Sequence, residues 1–337
     1  MELKHGVGID IGTMNIVASR QTGDSDDDIE NSRIRDAFII LPMSAKKSLR
    51  MMKNIPYIIR KDGDTERDII VVGDKALELA STFHHPIRRP LADGLLSSKE
   101  LDSVEILQTL ISSVLGKPKV PNEVCYFSVP ADPIDIKRDI VYHTAILSKI
   151  VANLGYKPYP ANEAMAIIFA ESESESYSGI AISFGSGMTN VALAFNAMSG
   201  LEFSIARGGD WIDQSASSAL GKNIAQICMV KEHGVDLLAP DNQEEEAIAF
   251  YYKNLIRYVI ELLKKEFVEK CKLSISRPIP IIISGGTSKA GNFLKLFKST
   301  FESMSSDFPI TVSEIRHAKD PLNAVADGML VQARQEE

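Results

Sequence analysis

Apolar and small residues alternate in two segments of the chain, and a glycine turn interrupts each segment. The first segment covers residues 6–20 (GVGIDIGTMNIVASR) and the second covers residues 178–195 (SGIAISFGSGMTNVALAF). Alternation on both sides of a short glycine turn is typical of a β-hairpin, in which two antiparallel strands flank the turn. The sequence therefore predicts one hairpin at each of these places.

The two predicted hairpins resemble each other in their order of residue types. In both, an apolar strand ends at a glycine, a hydroxyl residue follows, and an asparagine lies at or near the start of the second strand. We match Asn15 of the first hairpin with Asn190 of the second. Two copies of one unit at distant places in a chain indicate a duplicated α/β domain.

Apolar periodicity predicts the other main elements. The residues Ile248, Tyr252, Leu255 and Val259 recur at helical spacing, which predicts a long helix with a core-facing stripe over 244–270. The acidic stretch at 24–33 predicts an exposed loop. Shorter patterns predict a buried strand over 123–130, helices over 99–115, 134–154, 163–170 and 319–334, and a strand, glycine turn and helix over 279–297.

Length, charge and cysteine content exclude several classes of protein. A chain of 337 residues corresponds to about two domains. The formal net charge of −8 argues against a general nucleic-acid binder, which needs a basic surface. Cys125, Cys228 and Cys271 are far apart and match no metal-binding or disulfide spacing. No apolar run reaches the roughly 18 residues of a membrane span, and the first residues resemble neither a signal peptide nor an amphipathic anchor. We therefore expect a cytoplasmic protein with no direct membrane anchor.

Three glycine turns at the ends of apolar strands are candidates for binding phosphate groups. Backbone amides at such turns can point at an anion, and glycine leaves room for it. The same residues are also common in tight hairpins, so one turn alone indicates little. No GxxxxGK[ST] loop is present, which disfavours the P-loop class. The three candidate turns are Gly12-Thr13, Gly185-Ser186-Gly187 and Gly285-Gly286-Thr287.

Two carboxylates lie close to these turns in the sequence. Asp10 precedes the first glycine turn, where it can either face a magnesium ion or cap the turn. Glu163 begins an apolar helix, where an acid is favoured by the helix dipole alone. Its second interpretation is a residue that orients a water molecule for attack on a terminal phosphate. The residues themselves leave both alternatives open.

The ordered set of motifs resembles the actin-like ATPase superfamily, and it is most similar to bacterial actin homologues of the MreB and MamK type. The resemblance covers nearly the whole chain. It implies an α/β fold in which two duplicated, RNase H-like domains surround a nucleotide cleft. The motifs are GIDIGTMN at 8–15, PLADGLL at 90–96, SVPADPIDIKR at 128–138, NEAMA at 162–166, SFGSGMTN at 183–190, RGGDWID at 207–213, KE at 231–232, SGGTSKAG at 284–291 and KDPLNAVADG at 319–328.

The resemblance also implies domain bounds. Domain I covers residues 1–160, with a small insertion subdomain at about 31–90. Domain II covers residues 161–337, with a reduced insertion subdomain at about 210–245. The helix at 319–337 is expected to return to the hinge.

The resemblance implies ATP and Mg²⁺ as ligands and assigns a role to each site residue. Asp10 would face the magnesium ion, and Glu163 would orient the hydrolytic water, so these two form the expected catalytic pair. The nucleotide-binding residues would be Gly12, Thr13, Asn15, Gly185, Ser186, Gly187 and Met188 at the phosphates, Gly208, Gly209, Lys231 and Glu232 at the ribose and adenine, and Gly285, Gly286 and Thr287 in the adenosine motif.

Three departures from the family pattern bear on activity. Ser183 stands where the second hairpin normally begins with an aspartate that helps to hold magnesium. Losing one preorganised group commonly lowers a rate by about 100-fold, so slow hydrolysis is expected. Ala164 replaces the usual proline after Glu163, with little expected consequence. The short stretch between Glu232 and the helix near Glu244 replaces a larger β-containing subdomain of the cell-shape actins.

These departures leave two functions open. The first is a weak ATPase that self-associates into cytoskeletal filaments. The second is an ATP-dependent switch that does not polymerise and that binds a protein partner. Ser183 and the short insertion favour the second function, whereas the overall resemblance favours the first.

Overall fold

The structure is a computed structural model, and it describes residues 5–23, 25, 28–51, 55, 57–97, 100 and 102–336. Part of the predicted acidic loop, at residues 24, 26 and 27, lies outside the described residues. The beginning of the helix predicted over 99–115 lies outside them as well, at residues 99 and 101.

Strands and helices alternate along the described chain. The strands are β1 (Gly6–Ile11), β2 (Asn15–Gln21), β3 (Ile29–Arg35), β4 (Phe38–Pro42), β5 (Tyr57–Asp62), β6 (Thr65–Val72), β7 (Leu91–Ala92), β8 (Leu95–Leu96), β9 (Val124–Val129), β10 (Lys157–Asn162), β11 (Gly179–Phe184), β12 (Thr189–Phe195), β13 (Met198–Ile205), β14 (Ile279–Ser284) and β15 (Val312–His317).

The α-helices are α1 (Lys46–Met51), α2 (Asp74–Phe83), α3 (Ser103–Leu115), α4 (Val141–Asn153), α5 (Glu163–Glu171), α6 (Gly209–Leu220), α7 (Ile224–His233), α8 (Gln243–Lys270), α9 (Phe293–Met304) and α10 (Ala324–Ala333). Short 3₁₀ turns lie at Met43–Ala45, Gly286–Lys289 and Ser305–Asp307. None of the helices in the described ranges is long and apolar enough to cross a membrane.

Two five-stranded sheets have the same topology. The first runs β10-β9-β1-β2-β3, and the second runs β15-β14-β11-β12-β13. In each sheet the central strand pairs antiparallel with the strand after its glycine turn and parallel with the strand on its other side. The predicted duplication of an α/β unit is therefore confirmed. We call the elements from β1 to β10 the first lobe and those from β11 to β15 the second lobe.

The register of the two hairpins corrects one sequence-level match. Asp10 pairs with Val17 in the first hairpin, and Ser183 pairs with Asn190 in the second. Asn190 therefore corresponds to Val17 rather than to Asn15, so the predicted match between the two asparagines is wrong. Asp10 and Ser183 do occupy corresponding positions, two residues before the glycine of each turn.

Two helices join the lobes through a contact between small residues. Helix α10 packs against α5 and β1, and a Cβ added to Gly328 would lie 1.8 Å from the carbonyl oxygen of Ala166. A Cβ added to Gly8 of β1 would lie 2.2 Å from the carbonyl oxygen of Ala326. Both positions require glycine because the opposing atoms belong to rigid backbone. The close packing fixes β1, and with it the first glycine turn, relative to α10 and α5.

Each lobe carries an insertion of a different kind. The first contains a three-stranded sheet, β4-β6-β5, which packs with α1 and α2 around its own apolar core. The insertion of the second lobe lies within residues 206–278, all of which the structure describes. These residues contain α6, α7 and α8, and their one strand-like pairing is an isolated bridge from Asp236 to Gly291. The exact domain bounds remain a prediction.

Two predicted elements differ from the structure. The helix predicted over 134–154 begins only at Val141. The residues before it run along the second sheet instead, where Ile134 N donates to Ser204 O over 3.0 Å. The acidic loop predicted over 24–33 gives way to β3, an edge strand that pairs with β2 along its whole length. The exposed outer face of β3 explains its polar sequence.

The last helix begins later than predicted, at Ala324 rather than near residue 319. Pro321 lies in the turn before it, and its carbonyl oxygen accepts hydrogen bonds from Gly285 N over 2.9 Å and from Ser284 Oγ over 3.0 Å. The segment before α10 is thus attached to the third glycine turn.

Candidate functional site

The first two glycine turns have the same backbone geometry. Gly12 N donates to Asn15 O over 3.1 Å, and Gly185 N donates to Met188 O over 3.0 Å. A Cβ added to either glycine would lie within 3.0 Å of that same carbonyl oxygen, at 2.9 Å for Gly12 and 2.8 Å for Gly185. The tight turn therefore explains glycine at both positions.

Both turns face one cleft of about 650 Å³ between the lobes. This volume lies within the range of small-molecule and cofactor sites. All the predicted site residues except Gly208 line the cleft. Gly208 lies behind the second turn, where a Cβ would come within 2.5 Å of Ser186 O.

The third glycine turn is attached to the second. Gly285 has a φ of +89°, and a Cβ there would lie 2.3 Å from Phe184 O, so only glycine fits without strain. Thr287 Oγ1 donates to Gly185 O over 2.8 Å. A ligand that contacts the third turn therefore lies close to the second.

Asp10 lines the cleft and is oriented by a serine of the neighbouring strand β9. Ser128 Oγ donates to Asp10 Oδ1 over 2.8 Å and accepts from Ile11 N, also over 2.8 Å. Burial raises the pKa of Asp10 above its ordinary value, and the hydrogen bond from Ser128 partly opposes this shift. A cation in the cleft would favour the charged form of Asp10.

Glu163 lies at the first position of α5 and is held from the second lobe. Asn190 Nδ2 donates to Glu163 Oε2 over 2.7 Å, and Ser204 Oγ in turn donates to Asn190 Oδ1. Burial raises the pKa of Glu163, and the nearby charge of Asp10 raises it further. Because the two carboxylates repel each other, a cation bound between them would stabilise both in their charged forms.

The beginning of α5 also explains the alanine after Glu163. Asn162 caps the helix, and its Oδ1 accepts from Ala164 N over 2.9 Å and from Met165 N over 3.0 Å. A proline at position 164 would lack the first of these donors.

Lys231 and Glu232 line the cleft on the side of α7. Lys231 Nζ donates to Gly209 O over 2.8 Å and to Asp213 Oδ2 over 2.7 Å, which fixes the beginning of α6. Glu232 Oε1 forms an ion pair with Arg35 Nη2 of the first lobe over 3.1 Å. Lys231 is thus bound within the second lobe, whereas Glu232 bridges the two lobes.

The sequence does not predict several residues that line the cleft or support the residues lining it. Ser128 and Asn190 lie within quoted motifs, but nothing in their spacing indicated that they contact Asp10 and Glu163. Asp213 follows the glycines at 208–209 at helical spacing, which could have indicated a partner for a lysine. Arg35 lies at the end of β3, just beyond the stretch predicted as a loop over 24–33.

The donor set fits a magnesium ion only together with a phosphate ligand. The described residues contain no group of three or more His, Cys, Asp or Glu side chains that could hold a metal ion by themselves. Asp10 and Glu163 offer carboxylate oxygens, and Ser183 offers a hydroxyl. Magnesium is usually bound by one or two carboxylates together with substrate phosphates and water.

Comparison with known proteins gives the family. The family described as Volactin matches residues 6–333, which is nearly the whole chain. The chain belongs to the Volactin family. No curated protein matches this Volactin-family chain.

Solved structures show that the Volactin-family chain has the actin-like ATPase fold. It is similar to a MamK double helical filament, with a TM-score of 0.73, 17% identity, and coverage of 98% of this chain and 99% of that one. It is similar to MreB5 of Spiroplasma citri bound to AMPPNP, with a TM-score of 0.65, 16% identity, and coverage of 97% and 95%. It is also similar to the ethanolamine utilization protein EutJ from Carboxydothermus hydrogenoformans, with a TM-score of 0.55, 14% identity, and coverage of 98% and 90%. The predicted actin-like ATPase fold is confirmed.

Proposed function

We propose that this chain binds Mg-ATP between its lobes, hydrolyses it slowly and self-associates into filaments in the cytoplasm. The observation that carries the proposal is the pair of matching glycine turns, which face one cleft from two lobes with Asp10 and Glu163 between them. Similar folds support it, since one is a MamK filament and another is MreB5 bound to AMPPNP.

The glycine turns are suited to the phosphate groups. The first turn (Gly12, Thr13 and Asn15) and the second (Gly185, Ser186, Gly187 and Met188) would each supply backbone amides or polar side chains to one side of the phosphate chain. The nucleoside would lie beside the third turn (Gly285, Gly286 and Thr287), with Gly208, Gly209, Lys231 and Glu232 at the ribose and adenine.

Asp10 and Glu163 would carry the chemistry. Asp10, oriented by Ser128, would help to hold Mg²⁺, which neutralises charge on the phosphates when it is bound. Glu163, oriented by Asn190, would orient the attacking water and accept its proton at a carboxylate oxygen. Ser183 brings no charge to the corresponding place in the second hairpin, so we expect slow turnover.

A ligand that contacts both turns can couple its hydrolysis to the arrangement of the two lobes. Its terminal phosphate would favour the closed arrangement of the lobes, and hydrolysis would remove that preference. A head-to-tail contact between copies would then be stronger in one nucleotide state. Such a contact produces filaments when it does not close into a ring.

A second candidate function is a non-polymerising ATP switch that binds a protein partner. The fully described residues 206–278 contain no β-strand, and this favours the second function, because the cell-shape actins use a larger β-containing insertion there for filament contacts. The two functions share the same cleft and differ in what the closed state binds.

High-speed pelleting distinguishes them. Purified protein is centrifuged with Mg-ATP, with Mg-ADP and without nucleotide, and phosphate release is followed in the same tubes. A pellet that forms with ATP alone supports the filament. Protein that releases phosphate but stays in the supernatant at every concentration supports the switch, and a chain that neither binds nor hydrolyses ATP contradicts both.

A further inference from the structure

Arg89 of the first lobe contacts the second glycine turn and the helix α6 that follows it. Its Nη2 lies 2.9 Å from Asp210 Oδ2, and its Nη1 lies 3.3 Å from both Asp210 Oδ1 and Ser186 Oγ. Ser186 Oγ itself donates to Asp210 Oδ1 over 2.7 Å. The planar guanidinium thus binds a carboxylate with both nitrogens and also contacts a residue of the second turn.

Asp210 connects this contact to the backbone of the turn. Asp210 N donates to Ser186 O over 2.9 Å, and the preceding residue, Gly209, donates through its amide to Gly185 O over 3.0 Å. A displacement of the Asp210 side chain is therefore transmitted to the second turn by these two backbone hydrogen bonds and by the hydrogen bond from the Ser186 hydroxyl.

A second carboxylate lies beneath Arg89 within the first lobe. Asp36 is completely buried, and neither of its carboxylate oxygens makes a hydrogen bond of standard geometry. Its backbone amide donates to Met14 O of the first turn over 3.0 Å, so it lies directly behind that turn. The backbone of Arg88 pairs with Phe38, which holds Arg89 close to this carboxylate. Burial makes the charged form of Asp36 costly and raises its pKa, and the charge of Arg89 and the backbone amide of Leu91 both oppose that shift.

We propose that Arg89 is a positioning residue for the second phosphate turn and that it exchanges between two carboxylates. With the cleft closed it binds Asp210 and Ser186, and with the cleft open it binds Asp36. Closing the cleft thus orders the second turn, while opening it brings the guanidinium of Arg89 into contact with the buried acid. The role in nucleotide binding rests on the proposed function, but the exchange between carboxylates does not.

Amide hydrogen exchange in the nucleotide-free protein tests the closed contact. The reporters are the amides of Gly209 and Asp210. We expect Arg89→Ala to speed their exchange by about three- to tenfold, which lies at the lower end of the coupling between residues in direct contact. Asp210→Asn should give a similar increase, and the double variant should add little to either single one. Arg88→Ala is the matched control because Arg88 binds Glu100 within the first lobe, and it should leave these amides unchanged.

The isosteric variant Asp36→Asn tests the second partner. Without a charged acid at position 36 the open state loses its contact with Arg89, so exchange at Gly209 and Asp210 should slow by about threefold. The slowing should disappear when Arg89→Ala is added, which a merely structural role of Asp36 would not produce. Unchanged or faster exchange, or slowing that persists without Arg89, would overturn the role of Asp36.

AMPPNP titration keeps this inference separate from the proposed function. If the wild-type protein binds AMPPNP, we expect Arg89→Ala and Arg89→Lys to weaken binding by about three- to tenfold, and Arg88→Ala to leave it unchanged. Equal effects of the Arg88 and Arg89 variants on both exchange and affinity would overturn the positioning role. Wild-type protein that fails to bind AMPPNP would overturn the proposed function and the role at the phosphate turn, but the exchange data would still report on the pairing with Asp210.

Discussion

The two hairpins that face the cleft share a turn but differ in charge. In both, a glycine amide closes a four-residue turn onto the backbone, and the central strand occupies the same place in its sheet. At corresponding positions the first hairpin has Asp10 and the second has Ser183. The duplicated fold thus preserves the backbone that can bind phosphate, while the acid is present in one copy only.

This difference shows that backbone and side chains serve separate purposes at the site. A tight glycine turn depends on local geometry, which any copy of the fold can keep. A buried acid must be stabilised by its surroundings, and Ser128 provides this for Asp10. In the second lobe the residue that pairs with Ser183 is Asn190, and its side chain binds Glu163. The second hairpin therefore orients an acid from α5 rather than carrying one of its own.

The largest expected effect comes from neutralising Glu163. Glu163→Gln keeps an oxygen that can accept the hydrogen bond from Asn190 but removes the group that takes a proton from water. We expect phosphate release to fall by about 10³-fold, with AMPPNP binding changed little. Single-turnover release and equilibrium titration measure the two effects. Phosphate release at the wild-type rate would remove Glu163 from the chemistry.

Restoring the missing acid in the second hairpin should have the next largest effect. Ser183→Asp makes the two hairpins alike at this position, and we expect Mg-dependent phosphate release to rise by about 100-fold. The cost is a third carboxylate in a buried cluster, so the melting temperature without Mg²⁺ should fall. The reciprocal Asp10→Ser should remove the Mg²⁺ dependence of nucleotide binding. A rate that is unchanged in Ser183→Asp would mean that the second hairpin has no part in holding the cation.

Because the first two glycine turns have the same geometry, we expect the same substitution in each turn to weaken nucleotide binding equally. Gly12→Ala and Gly185→Ala each place a Cβ within 3.0 Å of a backbone carbonyl, so the turn must shift. We expect each variant to weaken AMPPNP binding by about tenfold, since overpacking a rigid site costs about 1–3 kcal/mol. Gly179→Ala is the matched control in β11, because its Cβ would lie 3.4 Å from the nearest atom. A strongly unequal pair of losses would show that one turn alone binds the phosphates.

The elements predicted most reliably are those in which local pattern and burial agree. The first strand of each hairpin alternates between apolar and small residues, and α8 carries a continuous apolar stripe, so these elements can be predicted from the sequence. The strands that the prediction missed lie at sheet edges. β10 contains Pro158 and Pro160, which a strand tolerates only where its amides face away from the ladder, and β3 exposes charged residues.

The candidate site was predictable as a set of turns but not as a set of contacts. Glycines and acids next to strand ends indicate phosphate and cation binding by their chemistry alone. The predicted match of Asn15 with Asn190 is wrong because the register of a hairpin depends on which backbone atoms pair. The spacing of residues in the sequence does not show this pairing. Arg89 and Asp36 are separated by more than fifty residues, and their proximity results from the pairing of Phe38 with Arg88.

The smallest expected effect concerns the other ion pair that bridges the lobes. Arg35 and Glu232 are 3.1 Å apart, with 27% and 44% of their side chains exposed, so water screens their attraction. The Arg89 pair differs because it is bidentate and is connected to the second turn through Ser186. We therefore expect Arg35→Ala to change AMPPNP affinity by less than about threefold, which corresponds to the usual weak contribution of an exposed pair. Titration of Arg35→Ala beside Arg89→Ala measures the contrast. If the Arg35 variant lost more affinity than the Arg89 variant, closure of the cleft would depend more on the Arg35–Glu232 ion pair than on contacts at the phosphate turns.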